Sequence, residues 1–147
     1  MALPQIDVQT FDVNISSMGK KVKFRPFLVK EEKILMMASE TGEQKDMIMA
    51  MSDVIESCTY GELKSKDLSI FDLEYILLQI RARSVGETAK IKVICPDDMK
   101  TYVDIEIDLT KVDVQVDDNH TNDIIIDEER KLGVVFNYPT LSTYNVS

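Results

Sequence analysis

The one histidine of the chain, His120, is where acid–base chemistry would have to start, and its neighbours give it little to work with. It sits in the polar run Asp117-Asp118-Asn119-His120-Thr121-Asn122-Asp123, with no nucleophile–base pair suggested around it. A solvated loop histidine is the expectation. The acidic pairs Asp97-Asp98 and Glu128-Glu129 are commonplace and do not define a glycosidase site. No Gly-rich phosphate loop, dinucleotide fingerprint or nucleophile elbow occurs. The sequence therefore supplies no catalytic residue and no cofactor site, and an enzyme is not expected.

Two metal patterns need weighing. Asp117, Asn119, Thr121, Asp123 and Glu128 fall at positions 1, 3, 5, 7 and 12 of a calcium loop, with Ile124 at position 8. Position 6 is Asn122 instead of Gly, and neither flank reads as a helix. In a stretch this rich in Asp and Asn, coincidence explains the match, and a calcium-dependent binding module stays a remote alternative. Cys95-Pro96-Asp97-Asp98 resembles half of a zinc knuckle, but a structural zinc needs four ligands and only Cys95 is present. No metal-ligand set is expected. Cys58 and Cys95 share no motif, which fits a reducing compartment; a disulfide between them stays open, and Cys58 reads most simply as a small buried hydrophobe.

Five of the eight methionines (Met36, Met37, Met47, Met49 and Met51) crowd into two adjacent segments. Methionine is flexible and polarizable, so such a cluster suits either core filling or a groove that accepts apolar partners. Met47 and Met51 fall on a core stripe, whereas Met49 lies off it and is a candidate contact residue.

The net charge of −9 argues against a nucleic-acid surface, which needs clustered Lys and Arg. Between Val103 and Glu129 stand ten acidic residues against Lys111 alone, while the rest of the chain is neutral overall. Lys20, Lys21, Lys23, Arg25, Lys30 and Lys33 form a basic stretch relieved only by Glu31 and Glu32. This asymmetry suits head-to-tail association of copies or attraction of a basic partner; equally, acids on wet strand positions keep strands soluble.

The elements that must carry these residues can be placed from periodicity. At 147 residues, 44% hydrophobic and 29% charged, the chain suits one folded domain. Its apolar stretches are too short for a membrane span. Met1-Ala2-Leu3-Pro4-Gln5 has neither a basic nor an apolar leader region, so no secretion signal is expected. Phe11, Val13 and Ile15, then Val22 and Phe24, alternate around Ser16-Ser17-Met18-Gly19, which predicts a hairpin within about 6–29. Three helices come next, over about 30–85. The first opens at Glu31 and Glu32, holds Ile34, Leu35, Met36, Met37 and Ala38, and stops at Gly42. The second carries the stripe Met47, Met51, Val54, Ile55 and Cys58 and ends before Gly61. The third starts at a capping box, Ser69 to Asp72, with Leu68 and Leu73 placed as a staple. It buries Leu73, Ile76, Leu77 and Ile80, and ends at Gly86 after Arg81 and Arg83, whose charges suit the helix dipole.

A β region over about 87–138 then alternates Ala89, Ile91, Val93 and Cys95, turns at Pro96-Asp97-Asp98, and resumes with Val103, Ile105, Ile107 and Leu109. Val112, Val114 and Val116 continue the alternation; Ile124-Ile125-Ile126 and Leu132-Val134-Phe136 suggest two more strands, before a polar tail to 147. The expected class is α+β, antiparallel hairpins packed against about three α-helices.

Several blocks carry a family resemblance. Lys23-Phe24-Arg25-Pro26-Phe27-Leu28-Val29-Lys30-Glu31-Glu32-Lys33 resembles the hallmark segment of the T-even-type bacteriophage baseplate hub protein family. Phe71-Asp72-Leu73-Glu74-Tyr75 and Arg81-Ala82-Arg83-Ser84-Val85-Gly86-Glu87 resemble its second signature, and Cys95-Pro96 and Tyr138-Pro139-Thr140 its later landmarks. Asp97, Asp98 and Met99 stand where members often place a second cysteine, so a metal role inferred from the family would fail here. The resemblance implies a late viral gene product, made in the host cytoplasm and used in building the baseplate hub; the expected partners are other hub or tail proteins, with the tape-measure protein as one candidate. Such a protein either remains in the virion as an oligomeric hub component or acts as a tail-assembly chaperone that leaves. Lys23, Arg25, Phe27, Met49, Arg81 and Arg83 are the candidate contact residues, although Arg25-Pro26-Phe27 equally suits a locked strand-to-helix turn.

Overall fold

The computed structural model describes residues 8–144, so the leader reading at Met1–Gln5, the start of the N-terminal segment at 6–7 and the last three tail residues lie outside the described residues. Strand β1 (Phe11–Ile15) pairs antiparallel with β2 (Lys20–Phe24), Phe11 opposite Phe24 and Val13 opposite Val22. Gly19 closes the turn at φ +58°, a conformation glycine adopts without a Cβ clash. Val13, Ile15, Val22 and Phe24 all face inward and are buried. Period-two alternation has become one face of a core.

Helix α1 (Val29–Thr41) ends at Gly42, left-handed at φ +70°; next come α2 (Gln44–Cys58) and α3 (Ile70–Ser84). The core consists of the hairpin face, Val54, Ile55 and Cys58 of α2, and Leu73, Ile76 and Ile80 of α3. Leu63 and Leu68, either side of a 3-10 turn at Ser65–Asp67, complete it from the α2–α3 connection. Each fully buried aliphatic side chain contributes about 1.5–3 kcal/mol before cavity terms. Helix α1 takes little part. Ala38 is buried and Leu35 partly so, whereas Ile34, Met36 and Met37 of the expected apolar run are exposed.

Beyond α3 the chain leaves this body. β3 (Thr88–Ile94) pairs antiparallel with β4 (Tyr102–Asp108), and β5 (Asp123–Asp127) with β6 (Leu132–Val135). The class is α+β, as expected. Among the described residues the strands form three separate two-stranded ribbons and not one sheet. The alternation at Val112, Val114 and Val116 does not become a strand: residues 112–117 are irregular, and their backbone tethers the last ribbon. At the head of the polar ending, Leu141 opens a short helix α4 (Leu141–Tyr144) and is buried in the main core.

Candidate functional site

Register sets the faces of the two outer ribbons. In β3–β4, Ala89, Ile91 and Val93 stand opposite Ile107, Ile105 and Val103 and share one face. Lys90 opposite Glu106 and Lys92 opposite Asp104 line the other, a ladder of opposite charges. The apolar face has the composition of an interior, yet Ile91, Val93, Val103 and Ile105 are all exposed. In β5–β6, Ile124 stands opposite Val134 on one face, while Asp123 opposite Val135 and Ile125 opposite Gly133 define the other. A register shift between Ile125 and Asp127 marks a bulge at Ile126. A continuous apolar run such as Ile124-Ile125-Ile126 is the mark of a strand buried on both faces. Here Ile125 is 69% exposed, Ile126 61% and Phe136 58%.

Helix α3 holds both ends of the segment that bears β5–β6. At its start, Leu109 is buried, its N–H donates to the Glu87 carbonyl at 2.8 Å, and Gln79 Nε2 donates to the Val112 carbonyl at 3.4 Å. Burial, and then the neighbouring Asp113 carboxylate, push the Tyr75 hydroxyl above its usual pKa. At its end, the Ile70 N–H donates to the Pro139 carbonyl at 3.2 Å, and Thr140 bridges to Ser69. Tyr138 meets the Phe71 ring edge-on at 5.0 Å, and His120 stacks on Tyr138 with Nε2 2.5 Å from its hydroxyl. The histidine is thus exposed but braced on an aromatic pair that docks the ribbon to α3.

The body is locked by two buried ionic groups. Arg25 Nη2 donates to Glu31 Oε1 at 2.9 Å and to Ser57 Oγ at 3.0 Å, and the Glu31 Oε2 accepts the Leu28 N–H at 2.8 Å. Burial pulls the Glu31 carboxyl up, but the hydrogen bonds from Arg25, Ser57 and Leu28 outweigh it and hold the group at about 2. Asp72, fully buried, accepts the Ser16 and Ser17 N–H groups at 3.1 Å each and the Ser69 hydroxyl at 2.7 Å. Ser69 is the N-cap of α3, as the sequence predicts, but the expected capping-box exchange is not made. The Asp72 carboxylate pins the β1–β2 turn to the helix instead.

The sequence-derived contact residues scatter over the body. Lys23 is exposed on β2, opposite Asp12. Arg25 is turned inward, 8% exposed, with its guanidinium bonded inside the chain. Phe27 packs partly against the core, and its N–H donates to Ser84 Oγ at 3.0 Å. Met49 is exposed and lines a groove of about 470 Å³ together with Ile48, Ser52, Glu56, Lys66 and Leu141. Arg81 is exposed, while Arg83 pairs with Glu87 and lies 4.8 Å over the Phe11 ring. The structure does not bring these six together. A further uncovered apolar surface lies on the two outer ribbons. Its signal was in the sequence, as alternation in β3–β4 and a continuous apolar run in β5, but nothing there said the faces would stay open.

Both cysteines are free, and burial pushes the Cys58 thiol up to about 11. The Asp98 carboxylate closes the β3–β4 turn, accepting the Thr101 hydroxyl and the Thr101 and Lys100 N–H groups, which hold it at about 2. Asp123 opens strand β5 and Glu128 follows its end, so these two positions of the calcium pattern stand at opposite ends of a segment that extends about 3.3 Å per residue. Among the described residues no group of His, Cys, Asp and Glu is placed to hold a metal, and no buried side-chain polar atom lacks a partner. No described helix is long and apolar enough to cross a membrane.

A family model described as T4 bacteriophage base plate protein matches residues 8–147, nearly the whole chain. No curated protein and no solved structure matches it. The chain belongs to the T4 bacteriophage base plate protein family, which carries a structural or assembly role among other phage baseplate proteins and is generally non-enzymatic.

Proposed function

We propose that this baseplate protein is a structural or assembly component of the tail baseplate hub, acting by protein–protein binding during tail morphogenesis. The observation that carries the reading is the pair of ribbons whose apolar faces stand uncovered outside a body that has its own core. An isolated two-stranded ribbon is marginal in water, and contiguous exposed apolar patches mark interaction sites. Covering them is worth about 1.5–3 kcal/mol per fully buried side chain, the same gain the core residues have already made. Lys23, Phe27, Met49, Arg81 and Arg83 are secondary contacts on the body, and Arg25 serves them by fixing the turn between β2 and α1.

A tail-assembly chaperone, holding the tape-measure or another hub protein, is the second reading. The exposed Met36, Met37 and Met49 on α1 and α2 favour it, because flexible thioethers adapt to varied apolar segments. Quantifying the protein in purified mature particles against infected-cell lysate separates the two. A small fixed copy number per particle supports the hub component. Abundance in lysate with absence from particles would overturn it in favour of the chaperone.

A further inference from the structure

We propose that the β5–β6 ribbon of one copy docks on the exposed face of α1 in a second copy, so that the protein associates with itself head to tail. Both surfaces are exposed and apolar, and the acids of the ribbon oppose the lysines in the first two turns of α1. Around α1, steps of 100° per residue bring Val29, Lys33, Met36, Met37 and Lys30 into one stripe. All five are exposed, with Val29 at 80% and neither methionine used by the core. Glu32 lies at the edge of the stripe and Glu40 at its far end, so its positive charge sits in the first two turns.

The ribbon is the complement. Ile124, Ile125, Ile126, Leu132, Val135 and Phe136 are exposed apolar groups. Asp117, Asp118, Asp123, Glu128 and Glu129 around them outnumber Arg130 and Lys131, and Asp127 is paired with Arg130 at 3.6 Å. The acids nearer the body are largely engaged: Asp108 with Lys111, and Asp104 and Glu106 opposite Lys92 and Lys90. Net negative charge therefore collects on the ribbon, and within this chain the first two turns of α1 offer an apolar face bearing Lys30 and Lys33 to meet it. The two faces differ, so the contact is heterologous: each copy offers a ribbon and a receiving helix, which gives rings or open stacks instead of a two-fold dimer.

This inference stands apart from whether the protein stays in the particle, because it is tested on the purified full chain. Sedimentation velocity across protein and salt concentration would show multiples of the 16.8 kDa monomer that dissociate as salt rises. E128K/E129K places positive charge on the ribbon, and K30E/K33E places negative charge on α1; each alone should weaken association at least about tenfold through like-charge contact. Mixing the two variants restores opposite charge at every contact between unlike copies and should restore the large species. K33E alone serves if Lys30, 3.4 Å from the buried Glu31, disturbs the fold when changed, and circular dichroism checks that each variant is folded. A wild-type chain that stays monomeric would overturn the proposal. So would variants that associate like wild type, or folded variants whose mixture does not recover.

Discussion

The β1–β2 and β3–β4 ribbons are built alike and end differently. Both alternate apolar and polar residues, both pair antiparallel, and both carry lysines on the polar face. In the first, Val13, Ile15, Val22 and Phe24 are buried against α2 and α3. In the second, Ile91, Val93, Val103 and Ile105 face solvent. The difference lies in the segment that succeeds each ribbon along the chain. After β2 the chain turns at the Arg25–Glu31 ion pair into helices that fold back over the hairpin, and Asp72 ties its turn to α3. After β4 it runs into irregular backbone and then a second uncovered ribbon. Alternation states that a face is destined for burial; only the connections decide whether the cover comes from the same chain. In the last two ribbons the chain itself leaves the apolar residues exposed.

The sharpest way to break this contrast is to make the same kind of change on each side. Phe24→Ala should cost about 3–5 kcal/mol by removing a fully buried ring, whereas Ile125→Ser on β5 should shift the stability of the monomer within about 0.5 kcal/mol. Denaturant titration of both variants reads the difference. An equal loss would mean that the ribbon is already part of the folded core.

Ion pairs sharpen the same line. Arg25→Ala leaves Glu31 buried without its cation and should destabilise by about 3–5 kcal/mol, while Arg130→Ala, in an exposed pair with Asp127, should cost about 0–1 kcal/mol. The Glu31 carboxyl is depressed in the folded state, so its stabilisation is fully present above the ordinary value of 4.5 and is lost as pH falls through about 2. Acid titration of wild type should show that step, and Glu31→Gln should remove it. Asp72→Ala should cost about 1–3 kcal/mol by orphaning the Ser16 and Ser17 N–H groups, measurable as a lowered Tm.

Much of this body was legible in the sequence. Gly19 and Gly42 mark where chain direction changes, Ser69 marks the start of α3, and the stripe from Met47 to Cys58 gives α2 its inward face. The features that escaped depend on contacts distant in sequence. Glu31 reads as a residue that favours a helix start, and only the fold brings Ser57 beside it. Asp72 reads as a capping residue, yet its partners lie 55 and 56 positions away. Leu141 sits in a polar ending and carries no periodic signal, so its return to the core was invisible. The candidate contacts were chosen for charge, for the family resemblance and, at Met49, for a place off the core stripe; Arg25 among them is buried, while Ile125 and Phe136, read only as strand residues, are exposed. Period and composition report that a surface is apolar, and do not report what meets it.

The central claim is that the body is complete alone and the outer ribbons are completed by another chain. Amide hydrogen exchange on the free, dilute protein, and again on assembled material, tests it most directly. In the free protein, amides of β1, β2, α2 and α3 should be strongly protected, while those of β3 to β6 exchange orders of magnitude faster and become protected on assembly. Ribbon amides as slow as those of α3 in the monomeric protein would contradict the account.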